Sequence, residues 1–364
     1  MRIDFRHLAN SSLQNLIPYQ PGKPIEELER ELGITSSIKL ASNENPLGAS
    51  SLAIQAMQAA LRDAHIYPDG SCYDLKNVLA QRLEIQSNQI TVGNGSENIL
   101  ELIVKAYLHK GDTAIISEYA FLTIPILLQS YGVSAKVIPA ELWGHNIKQM
   151  VAAIDEKTRV LFLVNPNNPT GTYTNAEDFQ YLLDHVPQDV LIVVDEAYSE
   201  YITLADYPNT LALLHNYPNV VLTRTFSKVY GLAALRLGYS VSSPEIADML
   251  NRARLPFNVN SIAIKAACAA LSDADHLNKS LQLNITGMQQ IEDYLKQHQI
   301  PYIPSIGNFI TVDVGNGLSV YQKFLLEGVI IRPLQAYHMP RHIRITIGTQ
   351  EQNERFLRAF HHIM

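Results

Sequence analysis

Short, uninterrupted apolar runs recur through the first two-thirds of the chain, and helix-length segments lie between many of them. The runs lie at 90–92 (ITV), 113–117 (TAIIS), 135–139 (AKVIP), 159–164 (RVLFLV), 190–196 (VLIVVDE) and 220–225 (VVLTRT). Runs without polar alternation are typical of strands that are buried on both faces. Helical patterns are found at 51–64, 96–109 and 121–131. The alternation predicts an α/β fold in which helices cover a mostly parallel sheet.

The last third of the chain has a different pattern. Helical spacing covers 258–271 and 275–299, and strand candidates follow at 309–314 (FITVDV), 328–333 (GVIIRP) and 342–348 (HIRITIG) before a final helix. These elements predict a smaller α+β domain. The first 45 residues are rich in proline and are predicted to be an extended arm. We therefore expect an arm with part of the small domain at 1–45, a large domain at 46–255 and a small C-terminal domain at 256–364.

Composition narrows the class of protein. The chain has 364 residues, of which 47% are apolar, and this excludes wholesale disorder. A net charge of -7 argues against a dedicated nucleic-acid or anionic-membrane binder. Cys72 and Cys268 cannot form a disulfide scaffold, which favours a reducing compartment. Because the sequence shows neither a signal-peptide pattern nor a run of about 18 apolar residues, we expect a cytoplasmic protein.

The segment GNGSEN (93–98) lies where a strand passes into a helix. Its glycines and serine expose backbone amides at a helix N-terminus, which is a favourable site for a phosphate. Two other interpretations remain open. Ser96 could simply cap a tight turn, or the segment could be a near match to the dinucleotide-binding GxGxxG, although Asn98 replaces the third glycine.

Two further segments follow buried strands. NPNNPTG (165–171) has two prolines that exclude regular structure and three asparagines that can offer amides to a ligand. DEAYSEY (195–201) places Asp195 at the end of a buried strand, where a carboxylate is costly unless it is paired. A metal ion and a cationic ring nitrogen are both candidate partners. We expect no metal, because HExxH is absent and Pro340 separates His338 from His342.

The segment TFSKVYGLAALRLGY (225–239) supplies a candidate nucleophile. Lys228 follows two hydroxyl residues, Thr225 and Ser227, and desolvation there would lower its pKa and make its amine reactive toward aldehydes. Arg236 and the hydroxyls could hold a phosphate. A lone lysine is more often a solvated surface charge. The combination of phosphate cradle, lysine, carboxylate and amide nevertheless matches what pyridoxal phosphate requires.

These motifs resemble the fold type I pyridoxal-phosphate aminotransferases and, within them, the histidinol-phosphate aminotransferases. The resemblance runs nearly from end to end and includes PYQPGKPIEELERELG (18–33), LASNENPLG (40–48), YPDG (67–70), LPFNVNSIA (255–263), GVIIRPL (328–334) and HIRITIGT (342–349). It implies a large domain with a seven-stranded type of sheet and a smaller α+β domain.

The resemblance also implies roles in binding pyridoxal phosphate. Lys228 would hold the cofactor as a Schiff base and move the proton between Cα and C4′, and Asp195 would pair with the ring nitrogen. Asn168 and Tyr198 would bond the phenolic oxygen, and Tyr119 would stack on the ring. The expected phosphate ligands are Ser96, Glu97, Thr225, Ser227 and Arg236, with Tyr67 contributed by the second subunit of a homodimer.

The implied substrates are glutamate and histidinol phosphate, with their keto partners 2-oxoglutarate and imidazole-acetol phosphate. The implied substrate-binding residues are Tyr19, Asn43, Arg332 and Arg344, because the planar fork of arginine bonds carboxylate and phosphate alike. The neighbouring His338, Arg341 and His342 have no assigned role.

Four alternatives remain open. Within the same fold they are an aromatic amino-acid aminotransferase and a phosphothreonine decarboxylase. Outside it they are an NAD-dependent oxidoreductase that uses GNGSEN, and a regulator that retains the cofactor without catalysis.

Overall fold

The computed structural model describes residues 5–364, so the first four residues of the predicted arm lie outside the described part. The N-terminal segment contains a 3-10 turn, two helices and a strand: Phe5–Leu8, α1 (Ser11–Gln14), α2 (Ile25–Leu32) and β1 (Ile38–Lys39). The prediction of an extended arm is therefore wrong for α2. This amphipathic helix begins directly after Pro24, buries Leu28, and ends at Gly33, which adopts a left-handed conformation.

The large domain is built on a seven-stranded sheet. Its elements in chain order are α3 (Ser51–Ala60), α4 (Tyr73–Leu83), β2 (Ile90–Gly93), α5 (Ser96–Tyr107), β3 (Thr113–Ser117), α6 (Thr123–Ser130), β4 (Ser134–Ile138), α7 (Ile147–Ala152), β5 (Thr158–Val164), α8 (Ala176–His185), β6 (Leu191–Asp195), α9 (Thr210–Leu213), β7 (Val220–Thr225), β8 (Gly238–Val241) and α10 (Pro244–Ala253). Short 3-10 turns lie at Leu61–Asp63, Ser87–Gln89, Ser199–Tyr201 and Ala233–Leu235.

The strand order is β2-β8-β7-β6-β5-β3-β4, and every pairing is parallel except those of β8, which is antiparallel to both neighbours. The six predicted strands are confirmed. The sequence pattern did not predict β8, which has only four residues. The α/β fold with a mostly parallel sheet is confirmed.

The uninterrupted apolar runs are explained by burial on both faces of this sheet. In β6, Ile192 and Val194 enter the core on one face, and Leu191 and Val193 enter the core on the other. Helices α5, α6 and α10 cover the second face, while α4, α7, α8 and α11 (Ser261–Ser272) supply the first.

The C-terminal part forms a smaller layer. Its elements are α12 (Ala274–Gln297), β9 (Tyr302–Ile303), β10 (Phe309–Asp313), α13 (Gly317–Leu326), β11 (Val329–Ile330), β12 (Arg332–Pro333), a 3-10 turn (Gln335–Tyr337), β13 (His342–Thr346) and α14 (Gln350–Ile363). An antiparallel sheet has the order β12-β13-β10-β9, and β11 pairs with β1 from the N-terminal segment. The single strand predicted at 328–333 is therefore wrong, because Ile331 separates two strands that belong to different sheets.

The fold places chemistry-bearing residues side by side. The carboxyl ends of the neighbouring strands β5, β6 and β7 lead directly into NPNNPTG, Asp195 and the Lys228 segment. Ligands of open α/β sheets bind at this edge. Within residues 5–364, no helix is long and apolar enough to cross a membrane.

Candidate active site

A cavity of about 210 Å³ lies at the carboxyl ends of β5, β6 and β7. Its walls are formed by Ser42, Glu44, Ser96, Glu97, Phe121, Val164, Asn168, Asp195, Ala197, Tyr198, Thr225, Ser227, Lys228, Ala233 and Arg236. The wall thus draws on six separate segments of the chain, and it includes all the residues predicted for the cofactor phosphate, amine and ring nitrogen except Tyr67.

Lys228 presents its amine to this cavity. Burial, reinforced by the positive charge of Arg344, lowers the pKa of Lys228 to about 8. Its Nζ donates a hydrogen bond to the carbonyl oxygen of Ser42 at 3.1 Å and lies 5.8 Å from the centre of the Tyr198 ring. A substantial fraction of the amine is therefore neutral, and nucleophilic, near pH 7 to 8.

Asp195 closes the end of β6 in a fully enclosed position. Burial raises the pKa of its carboxyl to about 6, although the hydroxyl of Thr223 donates to Oδ1 at 2.9 Å and opposes the rise. No cation of the described residues lies within ion-pair distance of it. A protonated ring nitrogen would supply the missing partner.

Hydrogen-bond donors that could bind an anion surround the N-terminus of α5. Gly95 has a positive φ of 86°, and a Cβ there would lie 2.7 Å from Nη2 of Arg236. A Cβ on Gly238 would meet the backbone nitrogen of Ser96 at 2.4 Å. Arg236 donates to Oγ of Ser227 at 3.3 Å. Both glycines are therefore needed for the backbone amides, hydroxyls and guanidinium to converge on one anion.

Polar side chains join the cavity to the smaller domain. Asn43, which has a positive φ of 56°, donates from Nδ2 to the hydroxyl of Tyr198 at 2.8 Å, and its Oδ1 accepts from Thr346 at 3.1 Å. Arg344 donates to Oδ1 of Asn168 and, at 2.7 Å, to the carbonyl of Ala41. The Oδ1 of Asn168 is thus occupied, and its amide nitrogen is left for a ligand in the cavity.

The two predicted substrate arginines are direct neighbours. Arg332 and Arg344 are register partners in the antiparallel pair β12–β13, and both are buried. Arg332 lies 5.2 Å from the centre of the half-exposed Tyr19 ring, and Nε of Arg344 is buried without a partner. Neither forms an ion pair within residues 5–364. Like charges placed opposite one another are unfavourable unless an anion binds them.

The aromatic wall of the cavity differs from the expected one. Phe121 lines the cavity, whereas Tyr119 packs 5.5 Å from the ring of Trp143, beside Leu334 and Tyr337. The two residues are two positions apart in SEYAF, so the motif indicated the segment but not the residue. Ser42 and Glu44 are also wall residues that the sequence reasoning did not select, although both lie in the quoted segment LASNENPLG.

The remaining predicted residues lie outside the cavity wall. Tyr67 is 80% exposed and stacks on Phe257 with ring centres 4.8 Å apart. His338 and Arg341 are exposed, and Arg341 pairs with Asp313. His342 is buried with its ring 4.9 Å from that of Trp143, and burial lowers its pKa. No group of three or more potential metal ligands is found within residues 5–364.

The donor set fits pyridoxal phosphate. The amide-and-guanidinium cradle suits its phosphate, the free Asn168 amide its phenolic oxygen, the enclosed Asp195 its ring nitrogen, and Lys228 its aldehyde. A seven-stranded sheet carrying such a site, with a smaller domain supplying two unpaired arginines, defines a pyridoxal-phosphate-dependent transferase of fold type I.

Comparison with known proteins identifies the family. The model of aminotransferase class I and II matches residues 35–360. Histidinol-phosphate aminotransferase 2 of Pseudomonas fluorescens Pf0-1 is 52% identical, covering 99% of this chain and 98% of that protein. Histidinol-phosphate aminotransferase 1 of Nitrosococcus oceani is 48% identical over 99% and 98%. The crystal structure of the Sinorhizobium meliloti histidinol-phosphate aminotransferase in complex with pyridoxal-5'-phosphate has a TM-score of 0.88 and 28% identity, covering 98% and 97%.

The chain belongs to the class I and II aminotransferase family and, within it, to the histidinol-phosphate aminotransferases. It is an enzyme, and the pyridoxal-phosphate dependence expected from the sequence is confirmed.

Proposed function

We propose that the enzyme transfers an amino group from glutamate to imidazole-acetol phosphate, giving 2-oxoglutarate and histidinol phosphate, in histidine biosynthesis. The names of its relatives support this assignment. The observation that carries it is the pair Arg332 and Arg344, two buried cations without acidic partners on neighbouring strands.

This arginine pair suits both proposed substrates. Glutamate carries two carboxylates, and histidinol phosphate carries a doubly charged phosphate. The guanidinium fork bonds either anion with two parallel hydrogen bonds, so one pair of residues can serve both halves of a ping-pong reaction. An uncharged aromatic side chain would leave one guanidinium buried and unpaired, which is costly.

Lys228 has the central role in our proposal. Bound pyridoxal phosphate supplies an electron sink for the carbanion formed at the substrate Cα. Lys228 would hold the cofactor through a covalent bond to its aldehyde carbon, and the substrate amine would free the Lys228 amine again. With a pKa near 8 in the empty cavity, this amine would accept the proton from the substrate Cα and donate it at C4′. The Ser42 carbonyl gives the amine a fixed hydrogen-bond acceptor.

The other wall residues orient the cofactor. Asp195 holds the proton on the ring nitrogen, and Asn168 with Tyr198 bonds the phenolic oxygen. The amides of Ser96 and Glu97, with Thr225, Ser227 and Arg236, hold the phosphate. We assign the ring face to Phe121 because it lines the cavity, whereas Tyr119 does not.

Replacing either arginine with lysine, which keeps the charge but not the planar guanidinium, tests the substrate assignment. In Arg344→Lys and Arg332→Lys we expect the KM for glutamate and for histidinol phosphate to rise about 10- to 100-fold, since each variant loses a charge-assisted bidentate contact. Steady-state kinetics with both substrates is the measurement. Arg341→Lys is the matched control, because Arg341 is exposed and its pair with Asp313 lies at the surface, so its KM values should stay within about twofold.

The same assay separates the rivals within this fold. Unchanged KM values in both fork variants would contradict the role of the arginines. Faster turnover of phenylalanine than of histidinol phosphate would assign the enzyme to aromatic amino acids. Carbon dioxide release from phosphothreonine would assign it to the decarboxylases. Either result would leave the cofactor site unaffected.

We also propose a homodimer in which Tyr67 of the partner subunit reaches the cofactor phosphate. Tyr67 is 80% exposed and its stacking partner Phe257 is 47% exposed. Other exposed apolar side chains lie close to these two residues in the sequence: Leu61, Ile66, Tyr73 and Leu255. Exposed apolar side chains of this kind are typical of a protein interface.

Removing one hydroxyl tests this proposal. Tyr67→Phe should remain dimeric in sedimentation equilibrium, because its ring is retained, but its dissociation constant for pyridoxal phosphate should rise about tenfold through loss of one hydrogen bond to a charged group. Tyr73→Phe, at another exposed tyrosine nearby in the sequence, should bind the cofactor normally. A monomeric wild-type protein, or an unchanged dissociation constant in Tyr67→Phe, would rule out the shared site.

A further inference from the structure

A buried ion pair lies directly behind the cofactor-binding strand ends. Arg224 donates to Oε2 of Glu196 from Nε at 2.9 Å and from Nη2 at 2.8 Å. The Glu196 side chain is completely enclosed and that of Arg224 is 14% exposed. Neither residue lines the cavity, so neither is accounted for by contact with the cofactor or a substrate.

Glu196 and Arg224 each lie one residue beyond the register pair formed by Asp195 and Thr223. Asp195 on β6 is the register partner of Thr223 on β7, and the backbone N–H of Glu196 donates to the carbonyl of Thr223 at 2.9 Å. Successive side chains of a strand point to opposite faces. Asp195 and Thr223 therefore bond on the cavity face, while Glu196 and Arg224 bond on the other face.

Further contacts fix this pair from both sides. Oε1 of Glu196 accepts from the hydroxyl of Thr210 at 2.5 Å, which satisfies its second oxygen. Arg224 is also the register partner of Tyr239 on the antiparallel strand β8. The ion pair thus joins the ends of β6 and β7, and the backbone pairing of Arg224 with Tyr239 places β8 beside it. The residue after Arg224 is Thr225, which lines the cavity three positions before Lys228.

We propose that the Glu196–Arg224 pair is a positioning element of the cofactor site. It holds the end of β6, which carries Asp195, against the end of β7, which leads to Thr225 and Lys228. It also neutralises a second carboxylate adjacent in sequence to Asp195. The two residues act through Asp195 and are not themselves catalytic.

A contribution to stability alone does not explain why this pair is charged. A buried ion pair adds little net stability compared with a neutral pair of similar volume, so stability alone gives no reason to place these charges here. The charges do bear on Asp195, whose surroundings also include Glu97, Lys228 and the Thr223 hydroxyl. The negative charges of Glu97 and Glu196 raise the pKa of Asp195, and the positive charge of Lys228 lowers it. We expect Arg224, which bonds Glu196 through two nitrogens, to reduce the effect of Glu196 on Asp195.

The test compares Arg224→Gln, Glu196→Gln and the double variant in their binding of pyridoxal phosphate. The dissociation constant is measured from visible absorbance as a function of pH, and the pH at which binding falls to half reports the ionisation of Asp195. Arg224→Gln leaves an unpaired carboxylate near Asp195. We expect its half-binding pH to move up and its dissociation constant at pH 7 to rise about tenfold or more.

Glu196→Gln leaves the Arg224 guanidinium without the carboxylate that it bonds. We expect its half-binding pH to move down, with the dissociation constant at pH 7 changed less than about threefold. The double variant should return to the wild-type half-binding pH, because the two effects cancel in a double-mutant cycle. Glu97, Lys228, the cofactor and Glu200, a further carboxylate that acts on Arg224, are the same in every variant, so the differences isolate the Glu196–Arg224 pair.

Shifts of the half-binding pH in the same direction for both single variants, or no shift in either, would overturn the proposal. If Arg224→Gln does not fold, Glu196→Gln decides alone, because only a downward shift agrees with the proposal. Arg224→Lys keeps the charge and should keep the wild-type half-binding pH. Asp155→Asn, which breaks the exposed Lys136–Asp155 pair at another part of the large domain, is the matched control and should bind like wild type.

Discussion

Replacing Lys228 with alanine is expected to lower turnover by about five orders of magnitude or more, because the variant loses both the covalent anchor and the group that moves the proton. Folding should be little affected, since within residues 5–364 the amine makes a single hydrogen bond, to the Ser42 carbonyl. Steady-state turnover of histidinol phosphate with 2-oxoglutarate is the primary measurement.

A chemical readout accompanies this prediction. Borohydride reduction of the wild-type protein with pyridoxal phosphate should attach the cofactor to the peptide containing Lys228, as mass spectrometry would show, and should leave Lys228→Ala unlabelled. Lys105→Ala is the matched control, because Lys105 is exposed and does not belong to the cavity wall. Full turnover in Lys228→Ala, or specific labelling of another lysine, would contradict the assignment.

Replacing Asp195 with asparagine is expected to lower kcat by about 100- to 10,000-fold. Asparagine keeps the size of the side chain but leaves the cationic ring nitrogen without its buried countercharge, a loss of about 3–5 kcal/mol. The KM values should change much less, because Asp195 does not belong to the arginine pair. Near-normal kcat in Asp195→Asn would remove this residue from the mechanism.

The same substitution should stabilise the cofactor-free protein. Burial raises the pKa of Asp195 from 3.8 to about 6, so the folded state binds this proton more tightly than the unfolded state. Ionised Asp195 therefore costs stability above pH 6, by about 3 kcal/mol, and the cost disappears as the pH falls toward 4. Asp195→Asn should remove the cost and flatten the dependence of stability on pH in this window.

Urea unfolding of both cofactor-free proteins at several pH values measures this difference. Asp155→Asn provides the control at an exposed carboxylate, whose pKa the Lys136 ion pair lowers to about 2. A cofactor-free Asp195→Asn protein that is less stable than wild type at pH 7 would contradict the account of this site.

Elements buried on both faces could be predicted because a parallel strand needs no polar alternation. The runs at 159–164 and 190–196 are apolar for this reason, and their ends located the cavity. The strand β8 could not be predicted in this way, because Gly238 and Ser240 interrupt its short apolar pattern. The split at Ile331 depends on pairing with β1, almost 300 residues earlier in the chain, which local sequence does not report.

The residues of the site also divide into those that local sequence could place and those that it could not. Lys228, Asp195 and Asn168 follow strands of one sheet, so local motifs were enough to place them together. The choice between Tyr119 and Phe121 depends on the path of a loop, and the SEYAF motif contains both. The Glu196–Arg224 pair had no motif of its own, because its partners meet only when β6 and β7 lie side by side.

The visible spectrum of the purified enzyme, recorded before and after addition of histidinol phosphate, reports cofactor, half-reaction and substrate in one experiment. We expect an absorption band of lysine-bound pyridoxal phosphate that is replaced by the band of the pyridoxamine form at low histidinol phosphate concentration, and is restored by 2-oxoglutarate. A cofactor band that glutamate or phenylalanine converts but histidinol phosphate does not would contradict the proposed substrate.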